Sequence, residues 1–103
     1  MLRHFKAEFF KTLSHPTRIR ILDALRDGEL TVRDLQEKLT LEQSTASQHL
    51  SALRAKDFVV ARRDGTYVWY SVSDKSIWKL LDIARDVYER QLVRNRASFD
   101  SLR

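Results

Sequence analysis

Between positions 43 and 54 the chain reads Gln43-Ser44-Thr45-Ala46-Ser47-Gln48-His49-Leu50-Ser51-Ala52-Leu53-Arg54. Ala46, Leu50 and Leu53 fall at i, i+4 and i+7, the spacing of one helical face. The opposite face, built from Gln43, Ser44, Thr45, Ser47, Gln48, His49 and Ser51, is polar and rich in groups that donate or accept hydrogen bonds. A plain solvated face would carry Glu and Lys, the better helix formers, so accepting Ser and Thr here points to a use for the surface. Short side chains let a helix approach base edges, and the Gln48 amide can offer a donor and an acceptor together to an adenine.

A second group supplies charge. Arg54, Lys56, Arg62 and Arg63 face only Asp57 between positions 54 and 63, whereas residues 21–41 are net acidic. Arg62 and Arg63 would neutralise phosphates beside such a helix, although charged edge strands also guard against aggregation. The net charge of +5 and the isoelectric point near 9.9 agree with a polyanionic partner. Double-stranded DNA is the expected one.

Other chemistry has little to work with. The absence of cysteine removes disulfides and thiolate ligands, and three dispersed histidines, His4, His15 and His49, suggest no metal site. Gly28 and Gly65 are the only glycines, so no glycine-rich phosphate loop exists, and neither H-E-x-x-H nor G-x-S-x-G occurs. No enzyme, cofactor or metal is expected.

The elements that must position these groups follow from periodicity. Phe5, Phe9 and Leu13 mark a first helix over residues 3–13, and Pro16 opens a second that runs to Gly28. Thr31 and Asp34 signal the cap of a short third helix with Val32, Leu35 and Leu39 on its inner face. Only Thr40-Leu41-Glu42 separates it from the polar-faced helix, placed at about 43–56. Val- and aromatic-rich runs at 58–63 and 66–72 flank Asp64-Gly65, a strong hairpin signal. Ser73-Asp74 then caps a last helix at about 75–94, with the tail from Asn95 to Arg103 expected to fray.

Two short helices across a tight turn, followed by a basic hairpin, suit a major groove and its flanking backbone. The expected fold is mostly α with a small β-hairpin: a winged helix-turn-helix in which residues 1–103 form a single DNA-binding domain. The recognition helix lies at about 43–56, the wing at about 58–72 and a dimerisation helix at about 75–94. Phe5, Phe9, Leu81, Ala84, Tyr88 and Leu92 present more apolar surface than so small a domain covers, which predicts a homodimer joined through its long terminal helices. The competing expectation is a winged-helix protein-interaction module without DNA binding.

Leu13-Ser14-His15-Pro16-Thr17-Arg18-Ile19-Arg20-Ile21-Leu22, then Gln43 to Leu50, then Arg62-Arg63-Asp64-Gly65, resembles the ArsR/SmtB family over nearly the whole chain. The resemblance implies a dimeric repressor, with helices at both chain ends forming the interface and the Gln43 to His49 segment reading an inverted-repeat operator. The chain departs from that pattern at several places. Thr31 and Arg33 stand where many members carry a cysteine pair, and no histidine follows His49 to join Asp82, Asp86 or Glu89 in a last-helix zinc site. Glu42 replaces a frequent uncharged cap and Ser44 a common proline. No effector is implied.

The N-terminus interleaves charged and apolar residues and lacks the continuous apolar core of a signal peptide. Phe58-Val59-Val60-Ala61 is far shorter than the roughly 20 residues that span a bilayer. A cytoplasmic location with no membrane partner is therefore expected.

Overall fold

Proline at position 16 and glycine at position 28 punctuate the first half of the chain. In the computed structural model, which describes residues 1–102, α1 runs over Leu2–Leu13 and α2 over Pro16–Ala24. Pro16 fits the first turn of α2, where its missing N–H has no helical partner to lose. A single 3₁₀ turn, Leu25–Asp27, extends α2 to Gly28, whose φ of +134° belongs to a region L side chains rarely adopt.

The third helix, α3, spans Val32–Leu39 and begins with a capping box. Thr31 Oγ1 accepts from the Asp34 amide at 3.1 Å, and the Asp34 carboxylate accepts from the Thr31 amide at 3.0 Å. Thr40 ends the helix in the left-handed region at φ 55°, and the Leu41 amide reaches back to the Gln36 carbonyl at 3.0 Å. This three-residue turn delivers the chain into α4, Gln43–Ala55. Asp57, also left-handed at φ 60°, closes α4, and the Phe58 amide then bonds to the Leu53 carbonyl.

The wing consists of β1, Val59–Asp64, paired antiparallel with β2, Tyr67–Val72. Asp64 pairs with Tyr67, so the two-residue loop is Gly65-Thr66 and not the expected Asp64-Gly65. Gly65 takes φ +62° at the first loop position while Thr66 stays at negative φ, the arrangement of a II′ turn. Leu30 adds one bridge to Tyr70 from the far side, anchoring the segment before α3 to the wing.

The core gathers Leu13, Ile21, Leu22, Leu25, Leu35, Leu50, Leu53, Phe58, Val59 and Ile77. Phe9 stacks on Phe58 with ring centroids 4.8 Å apart, which joins α1 to the start of the wing. The last helix, α5, runs over Ser76–Ser101, and Asp74 Oδ1 accepts from the Ser76 amide at its start. It extends about two turns past the expected end near Arg94. Asn95 to Ser101 contain neither Gly nor Pro, so nothing in their chemistry stops a helix already under way. Arg103, the end of the expected frayed tail, lies outside the described residues.

Only the first turns of α5 pack on the domain. Ile77 is buried, Trp78 donates to the Leu22 carbonyl at 2.8 Å, and Arg26 forks onto Asp82 at 2.8 and 3.3 Å. From Asp82 to Ser101 every residue is exposed, and the helix carries the long dimension of the chain to 63 Å.

The two threonines around α3 should respond in opposite directions to substitution. Thr31→Ala removes one arm of the capping box and should cost about 1 kcal/mol. Thr40→Gly relieves a left-handed β-branched residue and should stabilise by about 0.5 kcal/mol after the entropic cost of glycine. Urea denaturation midpoints at one fixed protein concentration check both signs.

Candidate nucleic-acid interface

The inner row of α4 sets the direction of its outer one. Ala46, Leu50 and Leu53 lie at 0, 1 and 0% exposure against α2, α3 and the start of the wing. Gln43, Ser44, Gln48, Ser51 and Arg54 are consequently exposed on the other side. Among the described residues the Gln48 amide has no hydrogen-bond partner, which leaves its donor and acceptor available for a base edge. Thr45 and Ser47 are half-buried along the margins. Glu42 precedes the helix with an extended backbone and makes no side-chain capping bond.

His49 sits differently from the outward position expected for it. It is half-buried and turned toward the junction of α1 and α2, where its Nδ1 accepts from Arg18 Nε at 3.1 Å. The His15 ring lies 5.8 Å from it, centroid to centroid. Burial, then the nearby Arg18 and His15, hold the His49 imidazole below its ordinary pKa, so the neutral ring is favoured. Sequence spacing alone could not reveal this contact, because 31 positions separate its two members.

The two wing arginines are also unlike each other. Arg62 is already engaged: its guanidinium forks onto Glu29 with contacts of 2.6 and 3.2 Å, and Asp64 lies 3.9 Å away. The pair lowers the Glu29 pKa and raises that of Arg62, each chiefly through the hydrogen bonds between them. Arg63 is exposed and has no ion pair among the described residues. Glu29, which ties the wing to the segment before α3, carries no signal in the sequence; its acidic neighbourhood gives no sign of a distant partner.

The six apolar residues expected at a subunit interface divide in two. Phe5, Tyr88 and Leu92 stand 62, 60 and 49% exposed, and Ala84 is exposed with them. Phe9 and Leu81 are half-buried and pack on the core of their own chain. Ile83, Val87 and Val93 widen the exposed apolar surface of α5. Among the described residues no group of three or more His, Asp or Glu side chains could hold a metal ion, and no helix is long and apolar enough to cross a membrane.

Comparisons with known proteins agree with this geometry. Residues 15–60 match the family described as bacterial regulatory protein, arsR family. The uncharacterized HTH-type transcriptional regulator Rv0081 of Mycobacterium tuberculosis is 45% identical over 103 residues, covering 99% of this chain and 90% of that protein. Its crystal structure aligns with a TM-score of 0.83 over 91% of this chain and 95% of the other. Nodulation protein NolR of Rhizobium meliloti is 39% identical over 99 residues, covering 88% of this chain and 81% of that protein. A solution structure of the homodimeric winged helix-turn-helix DNA-binding domain Mb0332 of Mycobacterium bovis, 31% identical, aligns with a TM-score of 0.79 over 88% and 84% of the two chains.

Two facing imidazoles without a thiolate or a third ligand make a poor shell for a borderline or soft ion. Titration calorimetry with zinc or cadmium should therefore detect no stoichiometric site, and a one-to-one site abolished by His15→Ala or His49→Ala would contradict that expectation.

Proposed function

This chain belongs to the ArsR family of bacterial transcriptional regulators, which are not enzymes, and from that premise we propose that it is a homodimeric repressor whose α4 reads an inverted-repeat operator. The observation that carries this reading is the two-sided character of α4: its apolar row is fully buried, and its exposed row is short, mostly uncharged and able to hydrogen-bond. A helix with those properties enters a major groove without steric or electrostatic conflict. Its exposed residues also speak against a DNA-free interaction module, which would favour an apolar outer face.

The proposed division of labour follows from chemistry. Gln48, with Gln43, Ser44, Ser47 and Ser51 beside it, contacts base edges, while Thr45 borders the groove. Arg54 and Arg63 meet phosphates. Arg62 must leave Glu29 before it can do the same, so its share is smaller. His49 supports α4 from behind.

Dimerisation places two copies of α4 on one duplex. The exposed stripe of Ala84, Tyr88 and Leu92 on α5, with Phe5 on α1, forms the subunit contact; Phe9 and Leu81 back it from within each protomer. Two-fold symmetry then requires half-sites about one helical turn, roughly 34 Å, apart. Occlusion of a promoter by such a dimer represses transcription. Action in the cytoplasm, where the DNA is, completes the reading.

Sedimentation at low micromolar concentration should give about twice the 12.2 kDa chain mass, and a monomer there would remove the dimer and the paired half-sites together. Gln48→Ala should cost roughly 1–3 kcal/mol on the preferred operator and relax one position per half-site while leaving non-specific affinity almost unchanged. Arg63→Ala should weaken binding to every duplex and lower the slope of log affinity against log salt by about 0.9 for each phosphate left without its cation. Arg62→Ala should lower it less. Binding of each variant to operator and scrambled DNA over a salt series decides the assignment, which is reversed if Gln48→Ala weakens both duplexes equally and Arg63→Ala alters base preference.

A further inference from the structure

Arg18 bonds to two neutral partners, and among the described residues it has no carboxylate partner. Its Nη1 donates to the Thr12 carbonyl at 3.2 Å, at the end of α1, while its Nε donates to His49 Nδ1 on α4. Thr12 is itself buried and its hydroxyl donates to the Glu8 carbonyl, so the α1 side of this contact is firmly held. The guanidinium therefore bridges the fixed end of α1 to the middle of α4, at the residue that follows Gln48.

The bridge works only for one protonation state of the histidine. Arginine is always a donor, so His49 Nδ1 must present a lone pair, which puts the single ring proton on Nε2. A second proton on Nδ1 would remove the acceptor and set two cations at hydrogen-bonding distance. The charged influences on the His49 ring itself are Arg18 of α2 and His15 at the N-cap of that helix; the cleft beside Arg18, between α1 and α4, adds Glu8, Lys11 and Lys56. Glu8 is the one carboxylate among them, and it lies 4.0 Å from Lys56. Nothing nearby compensates a charged imidazole.

We propose that Arg18 and His49 are positioning residues for α4, forming a proton-sensitive lock whose opening in acid weakens DNA binding. This rests on the DNA-reading role of α4 proposed above. The direction is what separates the lock from a general effect. A histidine that merely lies near phosphates gains affinity when it becomes charged; here the charge disrupts the support of the reading helix. His49 titrates from below its ordinary pKa, so the neutral form and its contribution to stability are complete above the unfolded-state pKa and are lost as pH falls through the folded one.

Two measurements on the intact protein test this. In an NMR titration, the His49 imidazole should show the Nε2–H tautomer and titrate below the ordinary histidine range, and Arg18→Lys should shift its titration and weaken the tautomer preference. Operator affinity should weaken as pH falls through the His49 titration seen in that experiment. His49→Asn, whose Oδ1 still accepts from Arg18 but does not titrate, should flatten the profile relative to its own affinity at neutral pH. His15→Gln should retain most of the slope. A His49 that titrates normally and ignores Arg18→Lys overturns the lock, as does wild-type affinity that rises in acid or a His49→Asn profile as steep as wild type. The expected NMR signature in a protein that binds no DNA at any pH would support the lock and contradict the DNA-reading role instead.

Discussion

The burial of Ala46, Leu50 and Leu53 turns a segment of weak helix formers into a helix of fixed orientation. Ser, Thr and His at the surrounding positions lower helix propensity, and a segment as short as α4 is marginal when isolated in water. Tertiary packing supplies what the local sequence lacks: Leu35 of α3 and Ile21 and Leu22 of α2 are fully buried in the same cluster. Once the inner row is seated, the azimuth of α4 has no freedom left, and the polar row must face outward. The wing shares this dependence. Phe58 and Val59, buried immediately after α4, suspend β1 from the core that holds the helix.

The end of the chain imposes a different constraint. The early turns of α5 are fixed by Ile77, by Trp78 on the Leu22 carbonyl and by the Arg26–Asp82 fork, so its angle of departure belongs to the rigid domain. Beyond that point it carries exposed Ile83, Val87, Tyr88, Leu92 and Val93 away from the core. An apolar helix on a fixed lever suits a subunit contact, because pairing two such levers sets the separation of the two copies of α4. The reading helix and the root of that lever meet the same helix: α2 packs against α4, its Leu22 carbonyl accepts from Trp78 at the root of α5, and Arg26, on the 3₁₀ turn that follows α2 and paired with Asp23, forks onto Asp82.

Much of this was legible in the sequence, for identifiable reasons. Period-3.6 rows located the helices, and Thr31 with Asp34 predicted a capping box that forms with both of its bonds. Pro16 and Gly28 marked real boundaries. What escaped was either a matter of one residue or of long range. The hairpin loop shifted from Asp64-Gly65 to Gly65-Thr66 because Asp64 pairs with Tyr67, and a composition signal does not specify register. The last helix outran its expected end because polar residues weaken a helical pattern without terminating the helix. In the reading surface, the types and spacing of Gln43, Ser44, Gln48 and Ser51 sufficed to find an exposed row. They could not show that His49, one position past Gln48, rotates toward Arg18, or that Arg62 is held by Glu29. Those contacts join residues more than 30 positions apart and depend on how helices and wing converge.

The central claim is that α4 reads DNA sequence within a two-fold dimer, and selection of bound duplexes from a random pool tests it most directly. A two-fold reader enriches an inverted repeat whose half-sites are centred about one helical turn apart, with base preference concentrated within each half-site. A pool in which no motif is enriched, or in which a single asymmetric half-site is bound by one chain, would contradict it.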